Sequence, residues 1–151
     1  GETAGMNSFT FIVPGVPAPQ GSKTHKGRGV MVESSSRTKP WRSDVKFAAE
    51  EALHTLPWRA IMPMQVEATF VFKRPNSHHV AGDPARELKA NAPKYSVKRI
   101  GDLDKLCRAI CDALTGVAYD DDSQVVSLIA HRRYANPDER PCAIITVTAL
   151  E

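Results

Sequence analysis

A chain of 151 residues, 42% hydrophobic and 25% charged, can bury one core and has the length of one domain. It has no run near the roughly 18 apolar residues of a membrane span, and no basic-then-apolar leader opens it, so a membrane partner is not expected. The net charge of +3 is unevenly held: residues 19–46 and 73–99 each carry seven Lys or Arg against two acids, which leaves −7 for the remainder. Two basic segments beside an acidic remainder fit a polyanion gripped next to carboxylates, and they fit solvated loops equally well.

Gly1 to Gly5, ahead of Met6, read as an expression remnant, which leaves 6–151 as a single domain. Residues 8–13 alternate between polar and β-branched or aromatic side chains and predict a strand, stopped by Pro14, Gly15, Pro17 and Pro19. A second short strand is expected at 29–32. Arg42 to Leu56 predicts a helix with Val45, Ala48, Ala49, Ala52, Leu53 and Leu56 on one stripe, capped by Ser43 and closed by Pro57. Trp41 and Trp58 would flank it as packing anchors. Met64 to Phe72 alternates and then turns wholly apolar, as a central strand does. The stretch 73–100 is basic, poor in apolar residues and carries three prolines, and predicts a long mobile loop. Leu103 to Val117 predicts a second helix, and 124–129 with 142–148 a closing hairpin. The order implies an α/β or α+β single domain, a mixed sheet with two main helices packed on it.

Three cysteines, Cys107, Cys111 and Cys142, form no disulfide-like framework and suit a reducing, intracellular compartment. Cys107 and Cys111 lie one helical turn apart but lack a second ligand pair, so they read as small apolar helix residues rather than half a zinc site. His78 and His79 read as exposed loop histidines. In His131, Arg132 and Arg133, neighbours on a strand face opposite sides.

The chemistry concentrates in Gly101-Asp-Leu-Asp-Lys-Leu-Cys-Arg-Ala-Ile-Cys-Asp-Ala-Leu and Asp120-Asp-Asp-Ser-Gln-Val-Val. Asp102 stands where a helix N-cap belongs and Asp104 in the first turn, where exposed N–H groups and the helix dipole favour carboxylates. Capping alone would account for both. Asp120, Asp121 and Asp122 repel one another and raise one another's pKa unless a cation compensates. A strand returning beside the helix start would let Asp122 join Asp102 and Asp104. Such oxygen donors favour Mg²⁺ or Mn²⁺ over zinc, and the pattern is not a calcium loop. Arg108, one turn after Asp104, could pair with Asp104 or Asp112, or hold a phosphate. A metal lowers the pKa of bound water and fixed cations stabilise phosphate charge, which is what phosphodiester hydrolysis needs.

These residues resemble a known signature. Asp102-Leu103-Asp104-Lys105-Leu106, then Ala109 and Asp112-Ala113-Leu114, then Asp121-Asp122-Ser123-Gln124-Val125 are similar to the RusA family of Holliday junction resolvases. The early Val13-Pro14-Gly15-Val16-Pro17 turn is also similar to that family's. The resemblance spans Phe9 to Leu150 in layout and is sharp over 101–126. It implies a Mg²⁺- or Mn²⁺-dependent homodimer that nicks opposing strands of a four-way DNA junction in the cytoplasm of a bacterial or phage-infected cell. It places metal ligation on Asp102, Asp104 and Asp122, with Asp121 as a neighbouring acid. Two departures stand out: Arg108 where members often have lysine, and Lys105 where asparagine is common. Arginine can neutralise a phosphate but is a poor proton donor. The basic side chains expected on DNA are Lys23, Lys26, Arg28, Lys73, Arg74, Lys98, Arg99 and Lys105. The competing readings are a non-catalytic module for branched DNA, and a metal-dependent nuclease acting on flaps or other branched forms.

Overall fold

A computed structural model of the protein describes residues 7–21, 24–25, 31–32, 36–83, 86–95 and 101–151. Its elements are β1 (Ser8–Pro14), β2 (Thr24–His25), β3 (Met31–Val32), α1 (Thr38–Leu53), β4 (Met64–Phe72), α2 (Leu103–Leu114), β5 (Val125–Tyr134) and β6 (Cys142–Ala149). The main sheet runs β1-β6-β4-β5, while β2 and β3 form a separate two-stranded pair. This is the mixed-sheet, two-helix α+β domain expected from the sequence.

The period-2 pattern sets the faces. Phe9, Phe11 and Val13 of β1, Ala143, Ile145 and Val147 of β6, and Val66, Ala68 and Phe70 of β4 point into one core. That core is closed by Trp41, Val45 and Ala49 of α1 and by Leu106, Ile110 and Leu114 of α2. The opposite face is polar at Thr10, Thr146, Glu67 and Thr69, and the Thr10 and Thr146 hydroxyls hydrogen-bond across strands at 2.7 Å.

Three expectations are corrected. Strands β5 and β6 do not form a hairpin, because β4 lies between them, parallel to β5 and antiparallel to β6. The crossover through α2 returns β5 beside β4, as a β–α–β unit does. β6, buried along its inward face, takes the interior position between β1 and β4. Helix α1 starts four residues earlier than expected, at Thr38, and Ser43 caps nothing. Pro40 is tolerated there because the first-turn N–H groups need no helical partner. Thr38 anchors the start by donating from Oγ1 to the Pro19 carbonyl at 2.7 Å, and Trp41 lies inside the helix, buried. Helix α2 ends at Leu114, three residues early, where Gly116 (φ +87°) turns the chain.

The described part of the basic loop has a framework of its own. Asn76–His78 is one 3-10 turn, and His79 bridges Leu88. The Arg74 guanidinium donates to the Pro93 carbonyl at 2.7 Å and stacks over the Tyr134 ring at 4.9 Å. The expected second strand is present at 31–32; residues 29–30 lie outside the described residues, as do 1–5.

Candidate active site

Helix α2 begins at Asp102, whose extended backbone (φ −74°, ψ 154°) is that of an N-cap. Its carbonyl accepts from the Lys105 and Leu106 N–H groups, both at 3.0 Å. Its carboxylate makes no capping hydrogen bond, so the carboxylate is not spent on the helix. Gly101 sets the approach. It has φ +97°, a left-handed conformation, and a Cβ there would lie 2.5 Å from the Pro19 ring. The Gly101 carbonyl is held by the Arg132 guanidinium from β5.

Asp104 is exposed in the first turn, with Lys105 Nζ 3.4 Å from its carboxylate. Asp112, one face round, is 3.4 Å from Arg42 of α1. Both acids that could have neutralised Arg108 therefore have other partners, and Arg108 stands exposed without an ion pair among the described residues.

The second acidic cluster divides its work. Asp121 accepts from the Ser123 N–H at 2.8 Å and caps the 3-10 turn Asp122–Gln124. That backbone donor holds the Asp121 carboxyl below its ordinary range, and contact with Asp122 lowers it further. The upward push expected from adjacent aspartates is thus reversed at Asp121, because hydrogen bonds from Ser123 and Asp122 favour its charged form. Gln124 is the pin of the turn. Its Nε2 donates to the carbonyls of Ala60 (2.7 Å) and Met62 (2.9 Å), while its Oε1 accepts from the Asp120 and Asp121 N–H groups. Asp122 is left exposed between them.

The charge of Asp104 acts on Cys107 and that of Asp122 on Cys111, one turn further along α2. Burial pushes the Cys107 thiol up to about 11, with Cys111 and Asp104 adding to the effect. Burial likewise raises Cys111. Tyr119 is buried over the same turn and donates to the Cys111 carbonyl at 2.7 Å. The chain thus brings the first pair of aspartates and Asp122 to one helix. It does not gather them into a closed clamp: among the described residues, no three His, Cys, Asp or Glu side chains are grouped to hold a metal ion.

Of the basic residues expected on DNA, Lys73 is exposed and Lys105 borders Asp104, whereas Arg74 is occupied in holding the loop. Lys23, Lys26, Arg28, Lys98 and Arg99 lie outside the described residues. His78 is half-buried edge-on to Tyr134, and burial and Arg74 lower its pKa. Gly101 and Gln124 are the positions to which sequence reasoning gave no role. A glycine directly ahead of an N-cap aspartate was the readable signal for the first; for Gln124 only the structure shows the partners.

No helix is long and apolar enough to cross a membrane among the described residues. No curated protein sequence matches the chain. The family profile of endodeoxyribonuclease RusA matches residues 14–148, from the first proline turn to the end of β6. With nearly its whole length covered, aspartate motif included, the chain belongs to the RusA family of endodeoxyribonucleases.

Proposed function

We propose that the protein is a homodimeric Holliday junction resolvase that hydrolyses phosphodiesters with Mg²⁺ or Mn²⁺ held by Asp102, Asp104 and Asp122. The observation that carries this reading is the division among the aspartates. Asp121 caps and Asp112 pairs, while the Asp102 carboxylate, at a cap position, caps nothing. An exposed carboxylate kept at a helix start without a structural task is available to a ligand.

The donor set fits a hard divalent ion. It consists of carboxylates with no histidine beside them, two on the first turn of α2 and one on the turn that packs against that helix. The bound ion would supply an activated water and neutralise charge at the phosphate. The chain's own residues do the rest. Gly101 and Gln124 position the two carboxylate-bearing segments. Arg108, exposed one turn from Asp104, orients and neutralises the phosphate being cut, and Lys105 supports it. Arginine keeps its proton, so the leaving oxygen takes its proton from solvent. A two-fold dimer would present one such site to each of two opposing strands, matching the symmetry of a junction. Binding would rest on phosphate contacts and weaken steeply with salt. A cytoplasmic setting in a bacterial or phage-infected cell fits the three free cysteines.

The test is cleavage of a labelled, immobile four-way junction with Mg²⁺ by the parent and by Asp104→Asn. Paired symmetric nicks by the parent, with binding but no cutting in the variant, are expected. Binding without cutting by either protein, in Mg²⁺ and in Mn²⁺, would leave a branched-DNA-binding module. Equal cutting of flaps and four-way junctions would leave a nuclease of other specificity.

A further inference from the structure

Beyond the aspartates, the described surface holds a second concentration of chemistry. A cleft of about 280 Å³ opens where the loop after β4 meets the β5–β6 connection, lined by Lys73, Arg74, His79, Arg86, Glu139 and Arg140. It carries four permanent cations. Its acid is already neutralised, because Glu139 accepts two hydrogen bonds from Arg133, at 2.6 and 2.8 Å. Cations gathered in a concavity focus a positive field far more than the same charges scattered over a surface.

The cleft is also built. Arg86 is the one non-glycine residue with positive φ (+57°) among the described residues, a conformation held only where its surroundings insist. Those surroundings are local: its N–H reaches the Asp83 carbonyl, its carbonyl accepts from His79 Nδ1 at 2.9 Å, and its guanidinium meets Asn76 Oδ1 at 3.1 Å. The strained backbone and the Asn76 bond fix the guanidinium at the cleft. Arg74, tied to Pro93 and Tyr134, lines the same cleft.

Its place in the fold gives it a ligand. β4 and β5 are parallel, so the cleft lies at their shared C-terminal end. The start of α2 is at that end too, since Arg132 of β5 holds the Gly101 carbonyl next to Asp102. We propose that this cleft binds a backbone phosphate of DNA at a distance from the scissile bond, holding a duplex arm while the aspartates face the cut. The proposal rests on the nuclease reading for its ligand and on the cleft alone for its residues.

The experiment is fluorescence anisotropy of a labelled four-way junction with the full chain, with metal chelated so that nothing is cut. Lys73→Gln/Arg140→Gln removes two exposed cations and is expected to raise Kd about tenfold near 0.1 M salt and to lower the slope of log Kd against log salt by nearly two. Arg86→Asn, which tolerates the left-handed backbone, should lower that slope by about one. Arg59→Gln, an exposed charge at the far end of the sheet before β4, should leave it unchanged. Parent-like slopes in both cleft variants, or an equal loss in Arg59→Gln and Arg86→Asn, would overturn the proposal. Cleavage is scored separately with Mg²⁺. A parent that shows the cleft-dependent slope but never cuts sinks the nuclease mechanism and leaves the cleft; a parent that cuts, with binding indifferent to the cleft, does the reverse.

Discussion

Gly101 and Gln124 show how a site is positioned by residues without catalytic chemistry. Gly101→Ala would meet both the left-handed backbone and the Pro19 ring. We expect a loss of about 2–4 kcal/mol, read by urea denaturation. Junction cleavage should fall further than stability explains, because the start of α2 must move. Gln124→Ala leaves the Ala60 and Met62 carbonyls and the Asp120 and Asp121 N–H groups without their partner. That should cost about 2–3 kcal/mol. Gln124→Glu keeps the acceptor but loses the donor, so it should not rescue stability; a parent-like midpoint in either variant would contradict the pinning role. The two acidic clusters stood out in the sequence, and the family resemblance singled out Asp102, Asp104 and Asp122 among them. The roles of Gly101 and Gln124 did not stand out, since Pro19, Ala60 and Met62 lie 60 or more residues away and only folding brings them near.

Among the elements, strand and helix identities were legible where periodicity was strong, as in β4 and α2, and neighbours were not. Residues 124–129 and 142–148 read as strands with a turn between them, but alternation says nothing of which strand each one pairs with. The apolar inward face of β6 was the hint that it belongs in the interior. The connection between β5 and β6 must then cross the end of β4, where Ala135 N–H bonds the Phe72 carbonyl at 2.8 Å and Arg133 grips Glu139. Arg133 holds the Glu139 carboxyl below its ordinary range. A depressed native pKa gives stability that is present above the unfolded value, roughly 4.3, and lost as pH falls through the native one. Glu139→Gln should therefore lower Tm near neutrality, by an amount equivalent to about 1 kcal/mol for a partly exposed bidentate pair. As pH falls below the lowered native value the two proteins should converge; a gap unchanged from neutrality down to about pH 2 would show that the pair's charge is not what stabilises the connection.

For the whole molecule, the fold class followed from element order, because several strands with two one-sided apolar helices among them leave few ways to build packed layers. The grouping of charge could be read only in part: two basic segments were evident, but their partition into a loop-holding Arg74 and an open cleft was not. The sheet's connectivity predicts how the molecule responds to shortening. A chain stopped after Pro141 keeps every aspartate and both helices but loses the strand that β1 and β4 both pair with. We expect no cooperative thermal transition and rapid proteolysis of β1; a sharp transition by circular dichroism would contradict this.

The interior place of β6 also has a meaning in time. A ribosome makes β1 first and β6 last, and the two are hydrogen-bonded neighbours from Ser8–Thr148 to Pro14–Cys142. Until residue 149 has left the exit tunnel, β1 has no partner in the main sheet and β4 lacks one side. Such distant pairing closes late and slowly. A nascent chain that already carries every acid of the motif is therefore not yet an endonuclease. DNA meets the enzyme only after synthesis has run through β6.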